Sequence, residues 1–336
     1  MTENQDSTVD VFGVGNALVD ILAFVEDNFV QHHALNRGSM TLMDAEKQGG
    51  ILHDLEHTSL QLRSGGSAAN TMIALAQSGG SGFYSGKVAK DTNGEFYRQD
   101  LLAAGIEFDV HPASELSGPT GTCVVLTTPD AERTMCTHLG VSTTLTATDI
   151  DLDRLARSKY SYIEGYLWDA ADPRKASIET MEHSKRKGVK VAFTFSDAFL
   201  VDRFADDFRQ VITNYCDVLF CNADEMRRFF EVESLEKCAQ SLGELVDLAF
   251  ITDSANGCLV VENKQITKVA GFPVQAIDTV GAGDAFAGGV LFGLTNNLSP
   301  QQAGRWGNYL ASRVVEVHGP RLEESQRDRI WEVIGS

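Results

Sequence analysis

Five short apolar runs alternate with stretches of helical periodicity, and few architectures accept that alternation. The runs are VDVFGVG at 9–15, YSYIEGY at 160–166, VKVAFTF at 189–195, DVLFC at 217–221 and LAFIT at 248–252. Runs this uniformly apolar read as strands buried on both faces, so they need helices on both faces of one parallel sheet. The pattern predicts an α/β fold, doubly wound around a mostly parallel sheet. Ala68 to Gln77 reads as a helix with Ala69, Met72, Ile73 and Ala76 on one side. Asp284 to Leu294 reads as another, with Ala285, Phe286, Val290, Leu291 and Leu294. Both follow glycine-rich turns.

Residues 20–62 and 107–137 break this rhythm. Thr122 to Thr128 is rich in β-branched residues and runs into a Pro-Asp turn, so these segments are expected to form a separate small sheet. Placed over the C-terminal edge of the main sheet, they would make a discontinuous β lid. The large α/β domain then comprises 1–19, 63–106 and 138–336.

Composition narrows the partners. With 47 acidic against 28 basic side chains, the net charge of −19 argues against a nucleic-acid binder. The six cysteines form no CxxC pair and have no His-rich partner segment, so reduced thiols are expected; Cys216 and Cys221 fall in an apolar run as small buried side chains. The opening MTENQDSTVD is polar and acidic, and no apolar stretch approaches the roughly 20 residues of a membrane span. A cytoplasmic protein with no membrane partner is the expectation.

The chemistry is expected at IDTVGAGDAFAGG, residues 277–289. Gly281, Ala282 and Gly283 leave backbone N–H groups bare at a helix start, where the dipole favours an anion. Asp284, on the first turn, would stand beside a transferring phosphate and could take a proton from an attacking hydroxyl. Alone, the same residues also suit a tight turn with an aspartate N-cap. A second glycine-rich segment, RSGGSAANTMIALAQSGG from Arg63 to Gly80, again enters a helix. Gly65 and Gly66 permit close backbone approach to a ligand, and Asn70 carries a donor and an acceptor suited to hydroxyls.

In this order, the two segments resemble the N-terminal and C-terminal signatures of the PfkB or ribokinase family of carbohydrate and nucleoside kinases. The likeness continues through GVGNALVD, FCNADE at 220–225, TDSANG at 252–257 and the closing GNYLAS helix. It implies a ribokinase-like fold and ATP-dependent phosphoryl transfer with Mg2+. Asp284 is then the base, and Gly281, Ala282 and Gly283 the anion hole. Asp20, with Asn16 beside it, would bind the acceptor's hydroxyls, and Gly65, Gly66 and Asn70 would complete that pocket. Asn222 and Glu225 match the NxxE element that organises magnesium and phosphates, although the same pair also reads as a helix capping box. Thr252, Ser254 and Gly257, with Asn308 on the last long helix, correspond to the ATP contacts. Here Asp253 and Ser254 depart from the common TxGxxG. Asp278 and the Val317–Gly319 loop resemble the place where many relatives hold a monovalent cation such as K+. Arg133 would clamp phosphate, or else be a solvent-facing arginine at a turn.

GVGNAL begins like a dinucleotide fingerprint, but Leu18 stands where GxGxxG requires a third glycine. GNALVDI, ERTMCTHLGVS and Tyr166 after IleGluGly look more like the adenosine kinase branch, and an aromatic there could stack on a purine. Tyr166 and Trp168 equally suit packing at a strand end. A nucleoside such as adenosine is therefore the favoured acceptor. The alternatives are a carbohydrate kinase of the ribokinase or fructokinase type and a non-catalytic sensor on the same fold. Relatives occur as monomers and as homodimers.

Overall fold

The structure, a computed structural model, describes residues 8–114, 117–130 and 132–335. The polar opening residues 1–7, and Glu115, Leu116, Ala131 and Ser336, lie outside it.

The strands are β1 Val9–Val14, β2 Leu18–Phe24, β3 Met40–Leu42, β4 Gln61–Gly65, β5 Gly82–Ser85, β6 Thr120–Thr127, β7 Arg133–Gly140, β8 Ser158–Glu164, β9 Lys190–Thr194, β10 Val218–Asn222, β11 Leu248–Thr252, β12 Cys258–Glu262 and β13 Gln265–Val269. The helices are α1 Asp27–His32, α2 Ala45–Asp54, α3 Ser67–Gln77, α4 Thr92–Ala103, α5 Leu152–Leu155, α6 Ala171–Lys187, α7 Ala198–Asn214, α8 Ala223–Phe230, α9 Leu235–Leu242, α10 Ala282–Thr295, α11 Pro300–Val314 and α12 Ile330–Ile334.

All five apolar runs form strands of one eight-stranded sheet, in the order β13-β12-β11-β10-β9-β8-β1-β5. Neighbours from β11 to β5 pair in parallel, and β12–β13 add an antiparallel hairpin at one edge. Alternate side chains leave the sheet on opposite faces and feed two cores. Val11, Tyr162, Ala192, Phe220 and Phe250 meet α3, α10 and α11. Phe12, Ile163, Phe193, Leu219 and Ile251 meet α6 to α9. A doubly wound α/β sheet is the architecture that the alternation predicts.

The second sheet has the order β3-β7-β6-β2-β4 and mixes parallel and antiparallel pairs. Its strands extend past the expected segment edges. β2 begins at Leu18 because it pairs with Gly65 at the end of β4, and β7 runs on to Gly140 opposite Thr120. Residues Glu107 and Ala113 instead bridge to Phe83 and Ala89 beside the large sheet. Val19, Ile21 and Ala23 of β2 are buried together with Ile51 and Leu55 of α2 and the stretch after it. The other set, Asp20, Leu22 and Phe24, leaves the opposite face by the two-residue strand period. Among the described residues, no helix is long and apolar enough to cross a membrane.

Candidate active site

Parallel strands end together, and the last residues of β8 to β11 are Glu164, Thr194, Asn222 and Thr252. Ligands of open α/β sheets bind along this edge. It faces a narrow cleft of about 90 Å³ lined by Ser67, Thr194, Ser196, Asn222, Glu225, Thr252, Gly283 and Asp284, among others.

Asp284 reaches this cleft because of two glycines with different jobs. Gly281 caps α10 in the left-handed region, at φ +78°, and a Cβ there would overlap the Pro320 carbonyl. Gly288, one turn beyond Asp284, has no room for a Cβ against the Thr71 carbonyl, which lets α10 lie directly on α3. That crossing brings the two signature helices together. Ser67 Oγ donates to Asp284 Oδ1 at 2.6 Å and Asn70 Nδ2 to Oδ2 at 3.3 Å. Burial pushes the Asp284 carboxyl up to about 6 against the pull of those two donors. Asn70 is buried, and its Oδ1 has no hydrogen-bond partner, leaving an acceptor open beside the carboxylate.

Gly283 behaves differently, since a Cβ there meets nothing within 4 Å. Packing within the protein does not require a glycine at this point, and the open space leaves the backbone accessible to a ligand. Ala282, by contrast, has its N–H directed back to the Thr279 carbonyl at 3.3 Å. The two outer glycines therefore separate by experiment. Gly281→Ala is expected to lower the melting temperature, whereas Gly283→Ala should keep it and weaken ATP use. Equal melting temperatures with equal rates would remove the anion reading from Gly283.

Where β2 meets β4, Gly65 permits the Asp20 carboxylate to lie over its Cα, where any Cβ would collide. Burial raises Asp20 to about 7, with Arg321, Arg133 and Arg63 pulling it down and Asp284 pushing it up. Gly66, at φ +98°, has the Asn16 carbonyl where a Cβ would project. Asn16 itself is 5% exposed, and its Oδ1 accepts from Ser142 Oγ at 2.8 Å. Asn16 is therefore held in the wall and bonded within the protein.

Glu164 explains how that wall is tied together. Fully buried, its Oε1 accepts from the Asn16 N–H and its Oε2 from the Ala68 N–H, both at 2.7 Å. One carboxylate thus joins the loop after β1 to the start of α3. Burial raises it to about 7, opposed by those two N–H groups. Gly15 leaves the space, because a Cβ there would come within 2.7 Å of both Glu164 and Ala68.

Asn222 and Glu225 do form a capping box: Asn222 Oδ1 accepts from the Glu225 N–H at 2.9 Å, and Glu225 Oε2 from the Asn222 N–H at 2.8 Å. Glu225 is 2% exposed, has no ion-pair partner among the described residues, and is raised to about 8 by burial. An oxygen-rich wall with one uncompensated carboxylate fits Mg2+ held through water. Thr252 shares that wall and donates its Oγ1 to the Cys221 carbonyl at 3.4 Å. Ser254 is exposed on the next turn, and Gly257, at φ +94°, packs against the backbone of 269–271. Asn308 is buried, with Nδ2 donating to the Val269 and Ala270 carbonyls at 3.1 and 3.3 Å. It braces the chain leaving β13.

Arg133 is not solvent-facing. It forms a 2.6 Å pair with Asp278, the two side chains 7% and 3% exposed. Asp278 also accepts from the Val280 N–H on Oδ1 and from the Gly319 N–H on Oδ2. A guanidinium therefore stands at the carboxylate where the family likeness puts a monovalent cation, and these residues do not fit a second one. Replacing K+ by choline at constant ionic strength is expected to leave the initial rate unchanged. Strong stimulation by K+ would show that Arg133 vacates Asp278 during turnover.

Tyr166 is half-buried on the turn after β8, its hydroxyl donating to Asp197 Oδ2 at 3.4 Å, whereas Trp168 is core, edge-on to Phe193 and Phe208. Ser67 and Glu164 were not singled out from the sequence. Ser67 at the start of the glycine-rich helix carried a readable signal, a hydroxyl one turn before Asn70. Glu164 carried only its charge at the end of an apolar strand.

The sequence profile of the pfkB family carbohydrate kinases matches residues 43–327. Adenosine kinase 2 of Arabidopsis thaliana is 26% identical over 333 residues, covering 92% of this chain and 94% of the relative. Among solved structures, adenosine kinase from Sinorhizobium meliloti superposes with a TM-score of 0.89 at 33% identity, covering 97% of this chain and 99% of that one. A probable sugar kinase protein from Rhizobium etli CFN 42 gives the same TM-score at 31% identity and the same coverage. The fold is ribokinase-like, and the matched span holds both glycine-rich signatures, Asp284 and its two donors. The chain belongs to the pfkB family of carbohydrate kinases.

Proposed function

We propose that this kinase transfers the γ-phosphoryl group of ATP to a hydroxyl of a nucleoside, adenosine above all, with Asp284 as the general base. The observation that carries the reading is the Ser67–Asp284–Asn70 constellation: a carboxylate raised to about 6, two donors that orient it, and an open acceptor on Asn70 beside it. Asp284 takes the proton as the hydroxyl attacks in line, and the α10 N-terminus around Gly283 meets the phosphate charge. Asn222 and Glu225 are the residues to hold Mg2+, which when bound neutralises phosphate charge. Asp20 and Asn70 orient the acceptor, and the second sheet serves as the lid that excludes water.

A nucleoside is favoured by space and by charge. A recess of about 560 Å³ lies between the Leu22 and Phe24 side of the second sheet and residues 317–326. That is within the range of pockets for molecules larger than a free sugar. The arginines lining it are matched by carboxylates: Arg63 with Glu323, Arg321 with Asp100 and Arg133 with Asp278. Matched charges suit a neutral base and ribose. The same arginines support a second reading, an acceptor that is itself a sugar phosphate and displaces one of those carboxylates.

ADP release with ATP and Mg2+ decides the matter across adenosine, inosine, guanosine, cytidine, ribose, fructose and fructose 6-phosphate. The expected result is a response to adenosine well above the others. A response to fructose 6-phosphate alone would establish the second reading. Ligand binding without ADP release would replace both with a sensor.

A further inference from the structure

Four of the chain's eight histidines, His32, His33, His53 and His57, gather on the outer layer of the second sheet, around Asp54 and Glu56. α1 ends at His32, His33 caps it, and α2 ends at Asp54, so two helix ends meet there. This layer lies behind β2, on the side opposite Asp20, and takes no part in the phosphoryl-transfer site.

Three of these side chains converge. His33 Nε2 lies 3.2 Å and His32 Nε2 3.9 Å from Asp54 Oδ2, and the three ligand atoms all fall within 4.8 Å of one another. In a tetrahedral zinc site the ligand atoms are separated by roughly 3.4 Å, as follows from metal–ligand distances of about 2.0–2.2 Å. The His33–Asp54 edge already has that length. His32, 75% exposed, closes the remainder by a side-chain rotation. His33 is held in place, its ring 4.7 Å from that of Phe29 and its side chain only 15% exposed. Its Nε2 is buried, faces the carboxylate, and makes no hydrogen bond. A nitrogen so placed is not satisfied as a donor to Asp54, whereas a cation shared between the two would use both lone pairs.

We propose that His32, His33 and Asp54 bind one divalent transition metal of the zinc class, with water in the fourth position, joining the end of α1 to the end of α2. Two imidazoles and one carboxylate select against Mg2+, which prefers oxygen alone. His53 and His57 line the same open recess of about 740 Å³ as His32 and Asp54 but lie outside the converging group of three.

The test is calorimetric titration of the EDTA-treated full chain with ZnCl2, with Co2+ as a spectroscopic probe. One Zn2+ per chain is expected, with a melting temperature that rises with Zn2+ concentration. Co2+ should give the visible absorption of a low-coordinate imidazole site. His33→Ala and the near-isosteric Asp54→Asn should each weaken binding by more than the roughly 10- to 100-fold that loss of a supporting group costs. The double variant His53→Ala/His57→Ala should bind as the wild type does. Circular dichroism without metal separates a misfolded variant from a lost ligand. The proposal is overturned if Zn2+ is not taken up, if Asp54→Asn and His33→Ala bind with wild-type affinity, or if only the His53/His57 variant loses binding.

Discussion

Asp284→Asn is expected to fold, to bind ATP, and to turn over about 10²- to 10⁴-fold more slowly, the range that a positioned general base contributes. Asparagine keeps an oxygen to accept from Ser67 Oγ, and its NH2 can donate to Asn70 once that amide turns its unpartnered Oδ1 inward, so the helix start loses little and the melting temperature should move by only a few degrees. The wild-type profile supplies a second readout. A base must be ionised to act, so kcat/KM should fall as pH drops through about 6, where burial holds the Asp284 carboxyl. Asp20, raised to about 7, shares the site, and the limb belongs to the pair. In Asp284→Asn the acid limb should flatten. A residual rate that retains it would assign the base to Asp20, and a near-normal rate would end the base role of Asp284.

The second large effect is expected from a residue fully buried behind the site wall. Glu164→Gln retains the shape but offers one acceptor oxygen where two N–H groups converge, and turns an NH2 toward the other. A buried donor left without an acceptor costs about 1–3 kcal/mol, so the melting temperature should fall by several degrees. Turnover should drop further than unfolding accounts for, by roughly 10- to 100-fold at a temperature where the variant is folded, because Asn16 and the start of α3 shift relative to Asp284. The signature of a positioning role is a lower kcat with the Asp284 pH limb unchanged. Wild-type stability together with a wild-type rate would show that the two N–H groups find other partners.

Local periodicity made the architecture legible. All five apolar runs became strands of the large sheet, since a strand buried on both faces announces itself within a few residues. The β12–β13 hairpin did not. Its two turn residues, Asn263 and Lys264, are both left-handed at φ +48° and +69°, and lysine in the second place hides a turn that Asn-Gly would reveal. The site divides in the same way. Asp284, Gly281 and Gly283 could be read from one short motif. Glu164 could not, because its partners stand 148 and 96 residues away and only the fold brings them together. Arg133 shows the limit most clearly. A long, charged side chain beside a turn reads as solvated, yet it is buried against Asp278 on the segment between β13 and α10.

The glycine crossing beneath Asp284 has a consequence for anyone surveying variants. Gly289 and Gly307 face each other with 3.0 Å between an added Cβ and the opposing Cα, and Gly293 sits as closely over Ala303. With Gly288 on Thr71, α10 is thus wedged backbone to backbone between α3 and α11. A library scored only by growth or product would flag these glycines as strongly as the aspartate, and would draw the active site about two and a half turns too long. Scoring abundance alongside activity should split them: the glycine variants vanish from the soluble fraction, while Asp284 variants accumulate as intact, idle protein.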